Sequence, residues 1–133
     1  MEIKKMLFEQ AKSARSNAYA PYSKYKVGAA IYAKSKKIYT GCNVENVSFP
    51  CGTCAEAGGI AAMVAGGDKK MTAILILAEG ENLVYPCGAC LQRIAEFADE
   101  KTKIYLADTK KIHKEHLLKD LLPYDFKEEE IRK

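Results

Sequence analysis

Apolar residues recur along the chain with two different spacings, and each spacing predicts a different kind of element. Steps of three and four residues near the start are typical of an amphipathic helix, and the apolar positions are Ile3, Met6, Leu7, Ala11, Ala14 and Ala18. The β-rich runs KVGAAIYAK (26–34) and KIYTGCN (37–43) are joined by so short a turn that they predict an antiparallel hairpin. The uninterrupted apolar run MTAILILA (71–78) is typical of a strand that is buried on both faces.

The rest of the pattern predicts helices that alternate with strands. CAEAGGIAAMVA (54–65) can be helical although Gly58 and Gly59 each cost about 1 kcal/mol relative to alanine, and such small residues let a helix lie close to a sheet. Further predicted elements are a helix at 87–100, a strand at 103–108, an edge strand at 111–115 and a short helix at 116–122 that ends before Pro123. Residues 43–53 predict a loop, and the charged tail at 127–133 is expected to be solvated or partly helical.

The order of these elements predicts the fold class. Two strand–helix–strand units follow one another, and the strands of such units run parallel through right-handed crossovers. The short turn before the last strand makes the final strand pair antiparallel. Helices would then cover both faces of a mixed five-stranded sheet. We therefore expect an α/β fold, a three-layer α/β/α sandwich, in a single domain spanning residues 1–133.

Composition narrows the classes of function. The 133 residues are 48% hydrophobic and 29% charged, and no stretch approaches the ~18 apolar residues of a membrane span, so no membrane partner is expected. The N-terminal MEIKKMLFEQAKSAR lacks the apolar core of a secretory signal, which predicts a cytoplasmic location. A net charge of +4, with scattered lysines and 17 acidic residues, argues against nucleic acid as a partner.

Cysteine usage indicates metal binding or catalysis. Five cysteines in a chain without a secretory signal argue for reduced thiols, and an odd number suits a disulfide framework poorly. Cys54 lies in CAE (54–56), Cys87 and Cys90 lie in PCGAC (86–90), and each segment opens a predicted helix. A helix N-terminus presents unpaired amide donors and about half a positive charge, which lowers the pKa of a thiol. Because Cys87 and Cys90 are one turn apart on one face, three sulfurs are expected to converge.

Three sulfur ligands leave one tetrahedral position of a zinc ion open, as in catalytic zinc sites. Glu56, in the first turn of its helix, is placed to lean over that position, where a carboxylate can accept a proton from water and pass it to a substrate. The competing interpretation is a closed structural site, because Cys51 with Cys54 and Cys87 with Cys90 also have four-cysteine spacing. A closed site leaves Glu56 unexplained, and for Cys51 the favoured interpretation is a small packing or loop residue.

These segments resemble the small cytidine deaminases, which act on free nucleosides and form homotetramers. A ligand-x-Glu segment followed by Pro-Cys-x-x-Cys is the signature of zinc-dependent deaminases, with Cys54 here in place of the commoner histidine. The likeness continues in order and spacing through AYAPYSKYKVGAA (18–30), GCNVEN (41–46) and LLPYDF (121–126). The zinc signature alone specifies a superfamily, whereas AYAPYS and NVEN point to a nucleoside rather than a polynucleotide.

The resemblance implies a reaction and a ligand set. Cys54, Cys87 and Cys90 would hold zinc (Zn2+) as the cofactor, and Glu56 would transfer protons. The reaction would be hydrolysis of cytidine or deoxycytidine to uridine or deoxyuridine with release of ammonia, which belongs to pyrimidine salvage.

The resemblance also implies substrate contacts. Asn43 and Glu45 would bind the ribose 3′-hydroxyl, the backbone N–H of Ala55 would meet the pyrimidine 2-oxygen, and Tyr25 would contact the base and sugar. Phe126 would reach into the pocket of a neighbouring subunit of a homotetramer, so that active sites lie near subunit interfaces. Without the resemblance, Asn43 and Glu45 would be interpreted as an Asx turn and a solvated acid, Tyr25 as core and Phe126 as a cap of the last helix.

The chain departs from the family pattern around the metal and the sugar. Ala57 and Leu91 stand where the family commonly has arginine, and Phe49 stands where it often has tyrosine. Three thiolates on a divalent ion leave a net negative charge, so a missing cation should make the metal a poorer Lewis acid. Either the two helix dipoles supply the positive charge or Arg93, one turn beyond Cys90, does so. A related deaminase of a modified cytosine nucleoside, such as a blasticidin-like antibiotic, is the alternative enzyme.

Overall fold

The computed structural model describes residues 2–131, which contain four α-helices and five β-strands. The helices are α1 (Ile3–Ser16), α2 (Ala55–Ala65), α3 (Gly88–Glu96) and α4 (Leu118–Leu121). The strands are β1 (Val27–Ala33), β2 (Ile38–Cys42), β3 (Met71–Ala78), β4 (Lys103–Ala107) and β5 (Ile112–Leu117). Within the described residues, no helix is both long enough and apolar enough to cross a lipid bilayer.

The five strands form one mixed sheet in the order β2-β1-β3-β4-β5. β1 pairs antiparallel with both β2 and β3, β3 pairs parallel with β4, and β4 pairs antiparallel with β5. The predicted hairpin, the parallel β3–β4 unit and the antiparallel final pair are therefore all present. Because β1 lies between β2 and β3, the first strand–helix–strand unit joins strands that run parallel without being neighbours.

Helices cover both faces of the sheet, as the three-layer prediction requires. Along β3, Leu75 and Leu77 pack in a cluster with Leu7 of α1, whereas Ile74 and Ile76 pack in the cluster that contains residues of α2 and α3. All five side chains are completely shielded from solvent, and full burial of such a side chain contributes about 1.5–3 kcal/mol. The unbroken apolar run of β3 follows from this burial on two faces, which the sequence predicted.

A glycine on β2 brings helix α2 close to the sheet. A Cβ atom on Gly41 would lie 2.3 Å from the backbone nitrogen of Gly59 and 2.4 Å from the carbonyl oxygen of Ala55. By contrast, a Cβ atom on Gly58 would meet its nearest neighbours at 3.6 Å, an ordinary van der Waals distance. The small residues of the helix predict a close approach, but the tightest point is on the strand. Because Ala55 opens α2, this contact fixes the helix end at which the metal-binding segment begins.

Two predicted helix boundaries are wrong. α3 ends at Glu96 rather than at residue 100, because the carbonyl oxygen of Phe97 accepts a hydrogen bond from the Met71 N–H at the start of β3, with an N···O distance of 2.8 Å. The first two residues of the last predicted helix, His116 and Leu117, belong instead to β5, in which Leu117 pairs with Lys103 of β4. In both cases the backbone of a predicted helical segment pairs with a strand that is distant in sequence.

Two segments outside the main elements contain short 3₁₀ turns. The predicted loop at 43–53 has one at Phe49–Cys51, and in this loop Val44 forms isolated bridges with Tyr19 and Thr53. The charged tail has another at Glu128–Glu130. The last two residues of the predicted tail, 132 and 133, lie outside the described residues.

Candidate metal centre and active site

Both metal-binding segments open a helix, as predicted. Cys54 caps the N-terminus of α2, Cys87 caps that of α3, and both cap residues have extended backbone. The N–H groups of the first turn have no partner within the helix, so each cap lies beside free donors and the positive end of the helix dipole. The helix end at Cys54 therefore favours a thiolate over a neutral thiol.

Cys54, Cys90 and Glu56 come together between these helices. The Sγ atoms of Cys54 and Cys90 lie 2.7 Å apart. One carboxylate oxygen of Glu56 and the two sulfurs all lie within 4.8 Å of one another, and no other trio of metal-ligating side chains does so in residues 2–131. Cys90 is 1% exposed and Glu56 is 5% exposed. Thiolates are among the groups that bind zinc in proteins, so the two sulfurs fit a zinc ion with the carboxylate of Glu56 beside it.

The other cysteines lie outside this group. Cys87 is exposed at the start of α3, one helical turn before Cys90. Cys51 is exposed on the 3₁₀ turn, and its sulfur lies 3.5 Å from the Oγ atom of Ser48. Cys42 ends β2 and is partly buried. In the described residues the four cysteines of a closed site are not assembled, whereas the role of Cys87 as a ligand stays a prediction.

The sulfur pair and burial together set the protonation of the site. A hydrogen bond from the Cys90 thiol lowers the pKa of Cys54 to about 6, and the same shared proton raises the pKa of Cys90. Burial raises the pKa of Glu56, because the charged carboxylate loses contact with water. A carboxyl group with a raised pKa takes up and releases protons closer to neutral pH, as a proton carrier must.

A guanidinium group lies against the sulfurs. Nη1 of Arg93 donates a hydrogen bond to Sγ of Cys90 at 3.5 Å and reaches Sγ of Cys54 at 3.9 Å. The hydrogen bond to Cys90 also raises the pKa of Arg93. Ala57 in the first turn of α2 and Leu91 on α3 carry no charge. Of the two sources of positive charge that the sequence left open, the structure contains both, the helix ends and Arg93.

A pocket of about 540 Å³ opens beside this group of ligands. Cys54 lines it, together with Asn43 and Glu45, the two residues predicted to bind the sugar. The other lining residues are Tyr22, Ser23, Val44, Asn46, Phe49, Gly52 and Thr53. Pockets that hold small molecules commonly have volumes of roughly 300–1,000 Å³. The fold thus joins the predicted sugar-binding loop to the sulfur ligands.

Asn43 connects the loop at 43–53, here called the pocket loop, to the start of β1 through two hydrogen bonds. Its Oδ1 atom accepts a hydrogen bond from the Val27 N–H at 2.9 Å, and its Nδ2 atom donates to the carbonyl oxygen of Tyr25 at 2.8 Å. Asn43 therefore does not form an Asx turn, which would bond a backbone group two residues away. Both of its partners are about seventeen residues away in sequence. The amide nitrogen carries two hydrogens, so one remains for a ligand.

Glu45 is held by Tyr22 and Ser23, which line the same pocket. Its Oε1 atom accepts hydrogen bonds from the N–H groups of Tyr22 at 3.0 Å and Ser23 at 3.1 Å, and the Ser23 hydroxyl donates to Oε2. The hydrogen bond from the Ser23 side chain is the main cause of the lowered pKa of Glu45. A carboxylate has about four lone-pair positions, so one acceptor position remains after these three bonds.

Tyr22 and Phe49, rather than Tyr25, form the aromatic part of the pocket lining. The ring centroids of Tyr22 and Phe49 lie 5.9 Å apart with the ring planes at 60°. Tyr25 is exposed and is not among the lining residues, and neither is Ala55, the buried first residue of α2. Sequence reasoning missed Tyr22, although it lies inside AYAPYS, a segment that carried the family resemblance.

Phe126 is not among the residues that line this pocket. The side-chain amide of Gln92 on α3 holds its backbone through two hydrogen bonds, from Gln92 Nε2 to the Phe126 carbonyl and from the Phe126 N–H to Gln92 Oε1, both 2.9 Å long. The Phe126 ring is 60% exposed. Contact with a neighbouring subunit therefore stays a prediction.

The fold and the site together define a zinc-binding enzyme built on an α/β/α sandwich. Residues 1–106 match the family described as the cytidine and deoxycytidylate deaminase zinc-binding region. The chain belongs to this family.

Individual relatives agree with the family match. The chain is 40% identical over 131 residues to a cytidine deaminase of Sporosarcina psychrophila, covering 98% of this chain and 96% of the relative. The crystal structure of cytidine deaminase from Burkholderia pseudomallei superposes with a TM-score of 0.88 at 37% identity, over 95% of this chain and 100% of the other. The structure of cytidine deaminase from Mycobacterium tuberculosis gives a TM-score of 0.81 at 32% identity, over 96% and 99%. The predicted family, fold, zinc cofactor and enzyme class, a zinc-dependent cytidine deaminase, are confirmed.

Proposed function

We propose that this chain, as a single domain, hydrolyses both cytidine and deoxycytidine to uridine or deoxyuridine and ammonia, a step of pyrimidine salvage in the cytoplasm. The observation that carries the proposal is the buried carboxylate of Glu56 beside the sulfurs of Cys54 and Cys90, next to a pocket lined by Asn43 and Glu45. The pocket has the volume of a small-molecule site, and its polar wall suits a sugar.

Cys54, Cys87 and Cys90 are the proposed zinc ligands. Cys54 and Cys90 already lie together, and Cys87 is one turn before Cys90 on the same face of α3. A site with three protein ligands keeps one position for water or substrate. When bound, zinc supplies the Lewis acidity that makes water a nucleophile near neutral pH.

Glu56 is the proposed proton carrier. Its carboxylate accepts one proton from the attacking water and delivers it to ring N3, which makes C4 electrophilic. The water oxygen bonds to C4, and Glu56 carries the second proton of that water to the departing amine. One water is consumed and one ammonia is released. The burial of Glu56 supports this role, because it raises the pKa of the carboxyl group and excludes competing solvent.

The proposed substrate contacts use the hydrogen-bonding capacity that remains in the pocket. Asn43 keeps one N–H and Glu45 keeps one acceptor position, which together suit a ribose 3′-hydroxyl. The N–H of Ala55, in the first turn of α2, has no partner within the helix and suits the pyrimidine 2-oxygen. Tyr25, exposed in the neighbouring loop, is proposed to contact the base and the sugar.

We further propose that the enzyme is a homotetramer in which Phe126 enters the pocket of a neighbouring subunit. The exposed Phe126 ring on a backbone held by Gln92 supports this arrangement. Val47 and Phe49, both in the pocket loop, are 78% and 75% exposed. Apolar surface of this kind commonly marks a site that another molecule covers.

Ammonia release from cytidine and zinc content, measured on the same preparations, test the proposal. Glu56→Gln should keep zinc and lose turnover, since an amide cannot carry the proton. Cys51→Ser should keep both, because Cys51 is exposed and lies outside the ligand group. Loss of zinc in Cys51→Ser would indicate the closed four-cysteine site instead. A modified cytosine nucleoside turned over in strong preference to cytidine would favour the alternative enzyme.

A further inference from the structure

Arg93 is placed where it can act on two cysteine sulfurs from two different helices. It lies on α3, three residues after Cys90, so both residues share one helix face. Its Nη1 atom lies 3.5 Å from Sγ of Cys90 on the same helix and 3.9 Å from Sγ of Cys54, the residue that caps α2. One guanidinium group thus bridges the two segments that supply the ligands.

In the part of the chain that the structure describes, no carboxylate forms an ion pair with this guanidinium group. Within residues 2–131, the ion pairs of the chain involve Lys4, Lys103, His113 and Lys127 on the basic side, and Arg93 forms none with a carboxylate. An exposed arginine paired with an acid would contribute little to the stability of the fold. Hydrogen bonds to a charged acceptor are stronger than neutral ones, so the contact to the sulfurs gains strength when these are thiolates.

The residues that follow Glu56 and Cys90 in the sequence supply no positive charge to the sulfurs. Ala57 and Leu91, the residues that follow Glu56 and Cys90, are apolar. The two helix ends contribute only partial charges. If three thiolates bind a divalent ion, as proposed above, the complex is net negative, and a full positive charge within hydrogen-bond distance favours it.

We propose that Arg93 is the positioning residue of the zinc site: it holds the sulfurs of Cys54 and Cys90 beside each other and balances the negative charge of the zinc–thiolate group. This inference rests on the ligand set given under the proposed function. Residues that orient metal ligands from outside typically change metal affinity by about 10–100-fold when they are replaced. Arg93 therefore acts on the affinity for zinc itself and not only on turnover.

The test measures zinc affinity of the full chain by competition with a chelator of known affinity. Arg93→Gln should bind zinc on the order of 10–100-fold more weakly than the wild type. Lys69→Gln is the matched control, because it removes one positive charge from an exposed residue beyond the far end of α2, roughly 15 Å or more from the ligands. The control should bind zinc as tightly as the wild type.

Two further variants separate charge from shape. Arg93→Lys keeps the charge and should retain most of the affinity that Arg93→Gln loses. Arg93→Gln combined with Ala57→Arg places a new cation in the first turn of α2, beside Cys54, and should regain affinity. An Arg93→Gln variant that binds zinc as tightly as the wild type, or a Lys69→Gln variant that loses as much affinity as Arg93→Gln, would overturn the role of Arg93. Failure of the wild type itself to bind zinc would instead refute the proposed ligand set.

Discussion

The two ends of the pocket are built in different ways. At the metal end, Glu56 and Cys90 are almost completely buried, and helices α2 and α3 fix them against the sheet. At the sugar end, Asn43 and Glu45 lie on a loop and are held by hydrogen bonds to the backbone of residues 22–27. Proton transfer requires a shielded group in a fixed position, whereas sugar recognition requires polar atoms that still face the pocket. Substitutions at the two ends should therefore impair different kinetic parameters.

The largest effect is expected at the metal end. Glu56→Gln should lower kcat by roughly 10²–10⁴-fold, because general acid–base catalysis contributes about that much, and should leave KM within a few-fold. Steady-state kinetics on zinc-loaded protein measure both parameters. A variant that kept kcat and only raised KM would assign Glu56 to substrate binding. The two ends of the pocket would then not differ in the kinetic parameter that they control.

At the sugar end, Glu45→Gln should mainly raise KM. The charged acceptor is lost, and because hydrogen bonds to a charged group are stronger than neutral ones, KM should rise by roughly 10–100-fold. Kinetics with cytidine measure the change, and Glu81→Gln, at an exposed residue outside the pocket lining, serves as the control. A fall in kcat with an unchanged KM would contradict the assignment of Glu45 to binding.

The close contact between β2 and α2, which positions the metal end, can be tested by substituting its glycines. Gly41→Ala should destabilise the fold by about 1–3 kcal/mol, because the new Cβ atom would overlap backbone atoms of α2. Gly58→Ala, in the same helix–strand contact, has room for its Cβ atom and should stabilise the helix by about 0.5–1 kcal/mol. Urea denaturation measures both. Equal effects of the two substitutions would mean that the strand glycine is not the closest contact.

The smallest expected effect is a pH shift at the sugar end. The hydrogen bond from Ser23 lowers the pKa of Glu45, so its carboxylate stays ionised, and its stabilising bonds persist, until the pH falls through this lowered pKa. In Ser23→Ala the pKa of Glu45 should move up toward the ordinary carboxyl value. The rise of KM on acidification should then begin at a higher pH than in the wild type. KM measured between about pH 4 and 7 tests this, and superimposable profiles would contradict it.

The sequence predicted what depends on neighbouring residues. The apolar periods identified every strand and helix approximately, and the spacing of Cys54, Cys87 and Cys90 with Glu56 identified the metal chemistry. Prediction from the sequence failed where a residue distant in the chain determines the local structure. The end of α3 depends on Met71, a residue of another element. The position of Tyr22 in the pocket lining, which the sequence did not predict, depends on the contact of its backbone with Glu45.

By itself, the sequence determined the mixed α/β/α architecture and placed cysteines and a glutamate at two helix starts, because periodicity and helix-end geometry are local properties of the chain. Only the tertiary structure decided that Arg93 reaches sulfurs on both helices and that β1 lies between β2 and β3. Only there do Asn43 and Glu45 anchor the backbone of residues 22–27. The physical reason is that these contacts depend on how α2, α3 and the loops sit on one sheet, and no local pattern specifies that placement.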